Sequence, residues 1–184
     1  MGTRTLGLLA TLGGAGATIG GGVFVGAMLS AAGARPWEVT TDLLPRSIMT
    51  VVGTGGMVVV AMATAGLAFR YQDQISGAGA LAGSIGSVGG ILGLLGSFPM
   101  LFLFPAGTAL LVWDLARARV LSGRLAAAHV ASAVGFLVPI AALMSNSRVG
   151  VAMVLALAYP VTWLAIGFSL IRSAPVTQRA TPAV

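Results

Sequence analysis

The sequence contains no cysteine and no lysine, and only 8% of its 184 residues are charged. Without cysteine there are no disulfides, thiolate metal sites, CxxC redox motifs or cysteine nucleophiles. Without lysine there is no Walker A loop, and the HExxH, GxSxG and DxDxDG motifs are also missing. Four acidic residues and a single histidine make a multi-ligand metal site improbable. The sequence therefore predicts no metal and no cofactor.

The chain is instead rich in apolar residues, which make up 57% of it, and its mean hydropathy is +1.00. Soluble domains carry about 25% charged residues, three times the share found here. The ten cations are arginines dispersed between apolar runs, which argues against a nucleic-acid-binding face. This composition predicts an all-α integral membrane protein with the lipid bilayer as its surroundings, in a bacterial cytoplasmic membrane.

Six apolar stretches free of charge are candidate membrane spans, since crossing the hydrocarbon layer takes about 20 helical residues. They are 5–32, 48–69, 77–97, 99–113, 125–144 and 149–171. They form one transmembrane domain, residues 1–172, followed by a flexible tail at 173–184. The first stretch is too long for the apolar region of a signal peptide and is therefore counted as a span.

The boundary between the third and fourth spans is the least clear, because no charge lies between Asp73 and Asp114. A single helix over residues 74–113 would be about 60 Å long, twice the thickness of the bilayer core. The chain must turn back, most simply at 97–99, where Pro99 opens the next helix. A turn at 105–107 is the alternative, although it shortens the following span.

Arginine distribution predicts the orientation, because cytoplasmic loops are enriched in Lys and Arg. Six spans with both termini in the cytoplasm place seven arginines inside, against Arg35, Arg46 and Arg148 outside. A model with five spans and an external N-terminus gives the same tally. Six spans are preferred because five would force 77–104 into a re-entrant or overlong element.

The third span carries small residues at the spacing of a helix seam, alternately three and four positions apart. We call the following residues the glycine seam: Gly79, Gly83, Gly86, Gly90, Gly93 and Ser97. Small residues let membrane helices approach closely. The sequence leaves three uses open: packing within one chain, an oligomer contact, or a smooth path for a lipid or flexible ligand.

Few ionisable residues lie in or beside the spans, and such residues are candidates for function. Five of them are expected near the cytoplasmic ends of their helices, as an inner-mouth polar cluster: Arg70, Asp73, Asp114, Arg117 and His129. His129 and Asp114 are the weak catalytic candidates of the chain. The alternative is structural, since Asp114 and Arg117 stand at i, i+3 and can simply pair.

On the opposite side, Glu38 and Asp42 are one turn apart on a possible interfacial helix and form an outer acidic pair. Pro139 and Pro160 interrupt the last two spans. Such helix breaks coordinate ligands in transporters, and the alternative is that they are simple kinks.

Three functions remain open. The leading prediction is a non-catalytic accessory or structural subunit, which packs against other membrane helices, in a homo-oligomer or a larger complex, through glycine-rich faces. A small transporter or channel is the second. The third is a membrane enzyme acting on a lipid or isoprenoid, with His129 and Asp114 as acid-base groups.

Overall fold

The computed structural model describes residues 1–30, 48–94, 102–144 and 154–174, and within these ranges it contains helices and short turns but no strand. We number the α-helices in chain order: α1 Thr3–Ser30, α2 Gly55–Arg70, α3 Gly77–Leu94, α4 Leu103–Arg117, α5 Gly123–Met144 and α6 Ala158–Ser173. A π-helical segment, Ile48–Thr54, leads directly into α2. The predicted all-α class is confirmed for these residues.

The helices form a ring in chain order. Each helix packs against the one that follows it, and α6 closes the ring by packing along α1. Side-chain contacts show that neighbours are antiparallel: Thr3 of α1 bonds Tyr71 just after α2, and Ser76 just before α3 bonds Asp114 near the end of α4. One end of the bundle therefore carries the N-terminal ends of α1, α3 and α5 together with the C-terminal ends of α2, α4 and α6.

Four stretches in this ring are long and apolar enough to cross a membrane, namely Thr3–Gly26, Val51–Arg70, Gly77–Leu94 and Val154–Ser173. A shorter apolar stretch, Gly123–Val138, lies in α5. Large apolar side chains are exposed on all six helices, among them Leu12, Met62 and Ile85. A soluble protein rarely shows so extensive an apolar surface, whereas a bundle surrounded by lipid is expected to.

The helix boundaries differ in places from the charge-free stretches. Helix α4 continues past Trp113 to Arg117, because the residues that end the apolar stretch still form its last turn. The alternative turn at 105–107 is excluded, since Pro105 and Gly107 lie inside α4. The turn predicted at 97–99 lies outside the described residues.

Pro160 accounts for an interruption near the start of the last span. Residues 154–156 are helical, Leu157 is in a turn, and α6 begins at Ala158. Pro160 has no N–H to donate to the carbonyl of residue 156, so the helical hydrogen bonding cannot run through this point.

Glycines set the spacing between α1 and its two neighbours. A Cβ on Gly14 would lie 2.8 Å from the Leu164 backbone nitrogen of α6, and one on Gly13 would lie 2.7 Å from the Val60 nitrogen of α2. Real Cβ contacts do not occur at such distances. The backbones of α1, α2 and α6 are therefore in direct contact, which is the dispersion-driven packing expected between membrane helices.

Helix α3 has its small residues inside and its large ones outside. Its buried positions are glycines and Ser87, while Leu81, Ile85 and Val88 are exposed. The glycine seam faces α4, where a Cβ on Gly86 would lie 3.1 Å from both the Gly107 Cα and the Leu103 carbonyl oxygen. A Cβ on Gly90 would lie 2.8 Å from the Phe104 ring. The described part of the seam thus packs within the chain.

Candidate functional site

Every charged residue in the described ranges lies at one end of the bundle. This charged end collects six arginines and two aspartates: Arg4, Arg70, Arg117, Arg119, Arg124, Arg172, Asp73 and Asp114. The helix directions explain the clustering, because each of these residues stands at the start of an odd-numbered helix, at the finish of an even-numbered one, or in the turn between them.

Asp114 binds the start of the neighbouring helix. The Ser76 hydroxyl donates a hydrogen bond to Oδ2 of Asp114 and accepts one from the Gly79 backbone N–H, 3.0 Å away. Ser76 is therefore the N-cap of α3, and the carboxylate lies where the positive end of the helix dipole stabilises a negative charge. A hydrogen bond and a dipole together join the end of α4 to the start of α3.

The other members of the inner-mouth polar cluster at this end stay at the surface. Arg117 approaches Asp114 only to 4.0 Å and extends over the Trp113 ring, with 5.9 Å from its Cζ to the ring centroid. Arg70 lies over Tyr71 in the same way, at 5.7 Å, and Asp73 is exposed. Each of these two arginines is placed next to an aromatic ring, as cation–π contacts favour.

His129 lies on α5 and is fully buried where α5 meets α4 and α6. Its Nδ1 lies 2.8 Å from the Thr162 hydroxyl of α6, and its Nε2 lies 3.3 Å from the Thr108 hydroxyl of α4. Nothing in the described structure links it to Asp114. The structure therefore does not bring the two catalytic candidates together.

Hydroxyl groups of α4 and α6 surround the imidazole. Thr162 donates to the Tyr159 carbonyl at 2.8 Å, so its oxygen accepts the Nδ1–H of His129. Thr108 donates to the Pro105 carbonyl at 3.1 Å, and its oxygen also lies 2.7 Å from the Tyr159 hydroxyl and 3.3 Å from Nε2. Ser132 donates to the His129 carbonyl at 2.8 Å and completes what we call the histidine network.

Aromatic rings enclose the network. The Tyr159 and Trp163 rings each lie 5.2 Å from the imidazole, and Phe136 packs on Tyr159 at 4.9 Å. The Trp163 indole N–H is buried without a hydrogen-bond partner among the described residues. With two aromatic rings beside it and hydroxyls at both ring nitrogens, His129 has the contacts of a side chain that links three helices.

The sequence pattern pointed to His129 but not to its partners. Thr108, Thr162 and Tyr159 are uncharged residues in apolar stretches, and only the folded chain places three separate helices around one imidazole. A usable signal was the spacing Tyr159, Thr162, Trp163, which puts a hydroxyl, a phenol and an indole near one face of α6.

Two predicted features cannot be placed. Glu38 and Asp42, the outer acidic pair, lie outside the described residues, as does Ser97 of the glycine seam. Metal-binding groupings of three or more His, Cys, Asp or Glu side chains do not occur in the described ranges.

The fold and the buried polar groups define an all-helical bundle of the kind found in membrane proteins. Comparisons with protein-family models, with curated protein sequences and with solved structures give no match to this chain.

Proposed function

We propose that the protein is a multi-pass protein of a bacterial cytoplasmic membrane, in which six helices cross the bilayer and both termini face the cytoplasm. We further propose that it acts as a non-catalytic accessory or structural subunit, which packs against other membrane helices. The first statement concerns placement in the membrane, and the second concerns the role.

The charged end supports the proposed placement. Six arginines lie at this end, and the positive-inside rule places such an enrichment of arginine on the cytoplasmic side. The antiparallel pairing of α3 with α4 supports six spans over five, because Gly83 faces Leu111 and Gly90 faces Phe104 in reversed order along the two helices.

The proposed role is supported mainly by the hydrogen bonds of His129 and Asp114. Both nitrogens of His129 and one oxygen of Asp114 contact hydroxyls on other segments of the same chain. These groups hold helices together, and the acid-base pair that a lipid-modifying enzyme would need is divided between two places.

A partner helix needs a surface that the chain itself leaves uncovered. Four glycines of the seam, at 79, 83, 86 and 90, pack against α4, so the proposed contact moves to the outer side of the ring. Helix α5 exposes Ala127 and Ala131, and Gly135 follows one turn later. A Cβ added to Gly135 would meet only ordinary contacts, the nearest being the Leu155 carbonyl oxygen at 3.6 Å. This i, i+4, i+8 spacing of small residues suits close helix approach.

The absence of cysteine makes the placement easy to test by single-cysteine labelling. We expect Gly2→Cys and Gln72→Cys, both exposed at the charged end, to react with a membrane-impermeant maleimide only after the membrane is opened. Reaction of Gln72→Cys in intact cells would overturn the orientation. The five-span alternative places both residues outside the cell, so reaction of both in intact cells would contradict six spans with cytoplasmic termini.

The role is tested by purification in a mild detergent together with cross-linking in the membrane. We expect a stoichiometric membrane partner or a homo-oligomer, cross-linked through Ala131→Cys but not through the matched exposed position Ile85→Cys on α3. A lone monomer without cross-links contradicts the role. Ion-dependent flux in proteoliposomes supports a transporter instead, and a lipid chemically altered only when His129 is present supports an enzyme.

A further inference from the structure

A groove of about 680 Å³ opens at the charged end, between the start of α5 and the finish of α6. Its lining is Ser122, Leu125, Ala165, Phe168, Ser169, Arg172 and Ser173. None of these residues belongs to the histidine network or contacts Asp114. The groove is therefore separate from both features described above.

The groove changes character along its length. Arg172, Ser173 and Ser122 lie at the charged end, whereas Leu125, Phe168 and Ala165 lie farther into the apolar part of the bundle. From Ser173 to Ala165 the groove follows α6 for eight residues, or about 12 Å. An occupant that fits this gradient has a polar head at one end and an apolar chain at the other.

The polar end of the groove is suited to a negative charge. Arg172 is exposed and makes no ion pair within the described residues, and the Ser169 hydroxyl has no hydrogen-bond partner there either. Ser122 caps α5 by accepting the Leu125 N–H at 3.3 Å, so the positive end of the α5 dipole lies beside the arginine. An unpaired guanidinium, a free hydroxyl and a helix start all favour an anionic group.

We propose that this groove binds an anionic phospholipid, with its phosphate at Arg172 and Ser169 and one acyl chain along Phe168 and Ala165. Basic pockets between membrane helices on the cytoplasmic side recognise anionic headgroups in this way. The inference rests on the proposed membrane placement but not on the accessory role, so a protein without a partner can still bind the lipid.

Native mass spectrometry of the protein in detergent, with phosphatidylglycerol or phosphatidylcholine of identical acyl chains added, tests the site. We expect the wild type to retain phosphatidylglycerol preferentially, and Arg172→Gln to lower that preference about fivefold, the effect of one arginine at a lipid surface. The matched control is Arg70→Gln, an exposed arginine at the same end on α2, which should leave the preference unchanged.

A second pair of variants tests the groove itself. Ala165→Phe fills the lining, whereas Ala158→Phe adds the same ring to an exposed position two turns away on α6. Only the first should reduce lipid retention, and both should keep the elution volume of the folded protein.

Three results would overturn the proposal. These are equal retention of the two lipids by the wild type, equal losses in Arg172→Gln and Arg70→Gln, or unchanged retention in Ala165→Phe. Displacement of the lipid by millimolar inorganic phosphate would show a free-phosphate site instead. An outward-facing Gln72 in the labelling experiment removes the membrane placement without affecting these binding results, so the two failures can be distinguished.

Discussion

Helix α4 is held in two different ways on its two sides. Toward α3 it meets the glycine seam, where backbones touch and, among the described residues, only Ser76 at the helix end supplies a hydrogen bond from a side chain. Toward α5 and α6 it contributes Thr108 to the histidine network, where side chains bridge three helices. The first side depends on the absence of side chains and the second on their polar groups, so the two sides should respond to different substitutions.

The largest effect is expected from adding side chains to the glycine seam. In Gly86→Leu combined with Gly90→Leu, new atoms meet the Leu103 carbonyl and the Phe104 ring, and overpacking at two such sites costs about 2–6 kcal/mol. We expect loss of the monodisperse peak in size-exclusion chromatography. Gly77→Leu, on the same helix with nothing within 4 Å of its Cβ position, is the control and should elute normally. A normal elution of the double variant would show that the seam is not tightly packed.

Removing the centre of the histidine network should have the next largest effect. His129→Ala deletes a fully buried ring with two hydrogen bonds, and we expect about 2–4 kcal/mol lower stability from the cavity and the lost bonds. Thermal unfolding in detergent measures the change. Ser132→Ala is the comparison, because it removes one hydroxyl of the same network, bonded to the His129 carbonyl and in contact with Thr162, but leaves the imidazole in place. Its loss should cost well under half as much, and equal effects would show that the imidazole is not the centre of the network.

A matched pair of threonines isolates the value of bridging between helices. Thr108 and Thr64 are both fully buried, and each donates to a carbonyl of its own helix, Pro105 and Val60 respectively. Within the described structure, Thr108 also bonds Tyr159 and His129 on other helices, whereas Thr64 has no bond to another helix. We expect Thr108→Val to destabilise by about 1–2 kcal/mol and Thr64→Val by nearly nothing. Similar shifts in the unfolding temperatures of the two variants would contradict this interpretation.

The smallest effect is expected at the turn that follows α4. Arg119 has a positive φ of 60°, and the bonds from Val120 N–H to the Leu115 carbonyl and from Arg119 N–H to the Ala116 carbonyl form a Schellman motif. This position favours glycine, so Arg119→Gly should stabilise by up to about 1 kcal/mol. Arg117→Gly, inside the last turn of α4, should destabilise by a similar amount. A drop in unfolding temperature for Arg119→Gly would show that its side chain matters more than its backbone.

The sequence predicts the helices better than their contacts. Charge-free stretches separate the helices because charged residues are costly inside a bilayer, but they placed the end of α4 at 113 where the helix continues to Arg117. The spacing of the glycine seam indicates close packing, yet it names no partner, since α4, another copy or a lipid would all accept a surface without side chains.

The histidine network was the least predictable feature. A single His in an apolar stretch predicts a candidate, but its partners lie 21 positions earlier and 33 positions later in the chain. Thr108 carries no periodic or charge signal, and the spacing of Thr162 with Tyr159 and Trp163 indicates a shared helix face but no partner on another helix. Only the ring order of the helices brings the two hydroxyls to one imidazole.

The closure of the ring by α6 on α1 has a consequence for biogenesis. The ribosome synthesises α1 first and α6 last. The face of α1 with Gly7 and Gly14 packs against Ile171 and Leu164 of α6, so it stays exposed until α6 enters the membrane. Meanwhile α2 through α5 can each pair with the helix inserted just before. During most of synthesis, this glycine face of α1 is therefore open to contact with lipid, with the insertion machinery or with helices of other proteins.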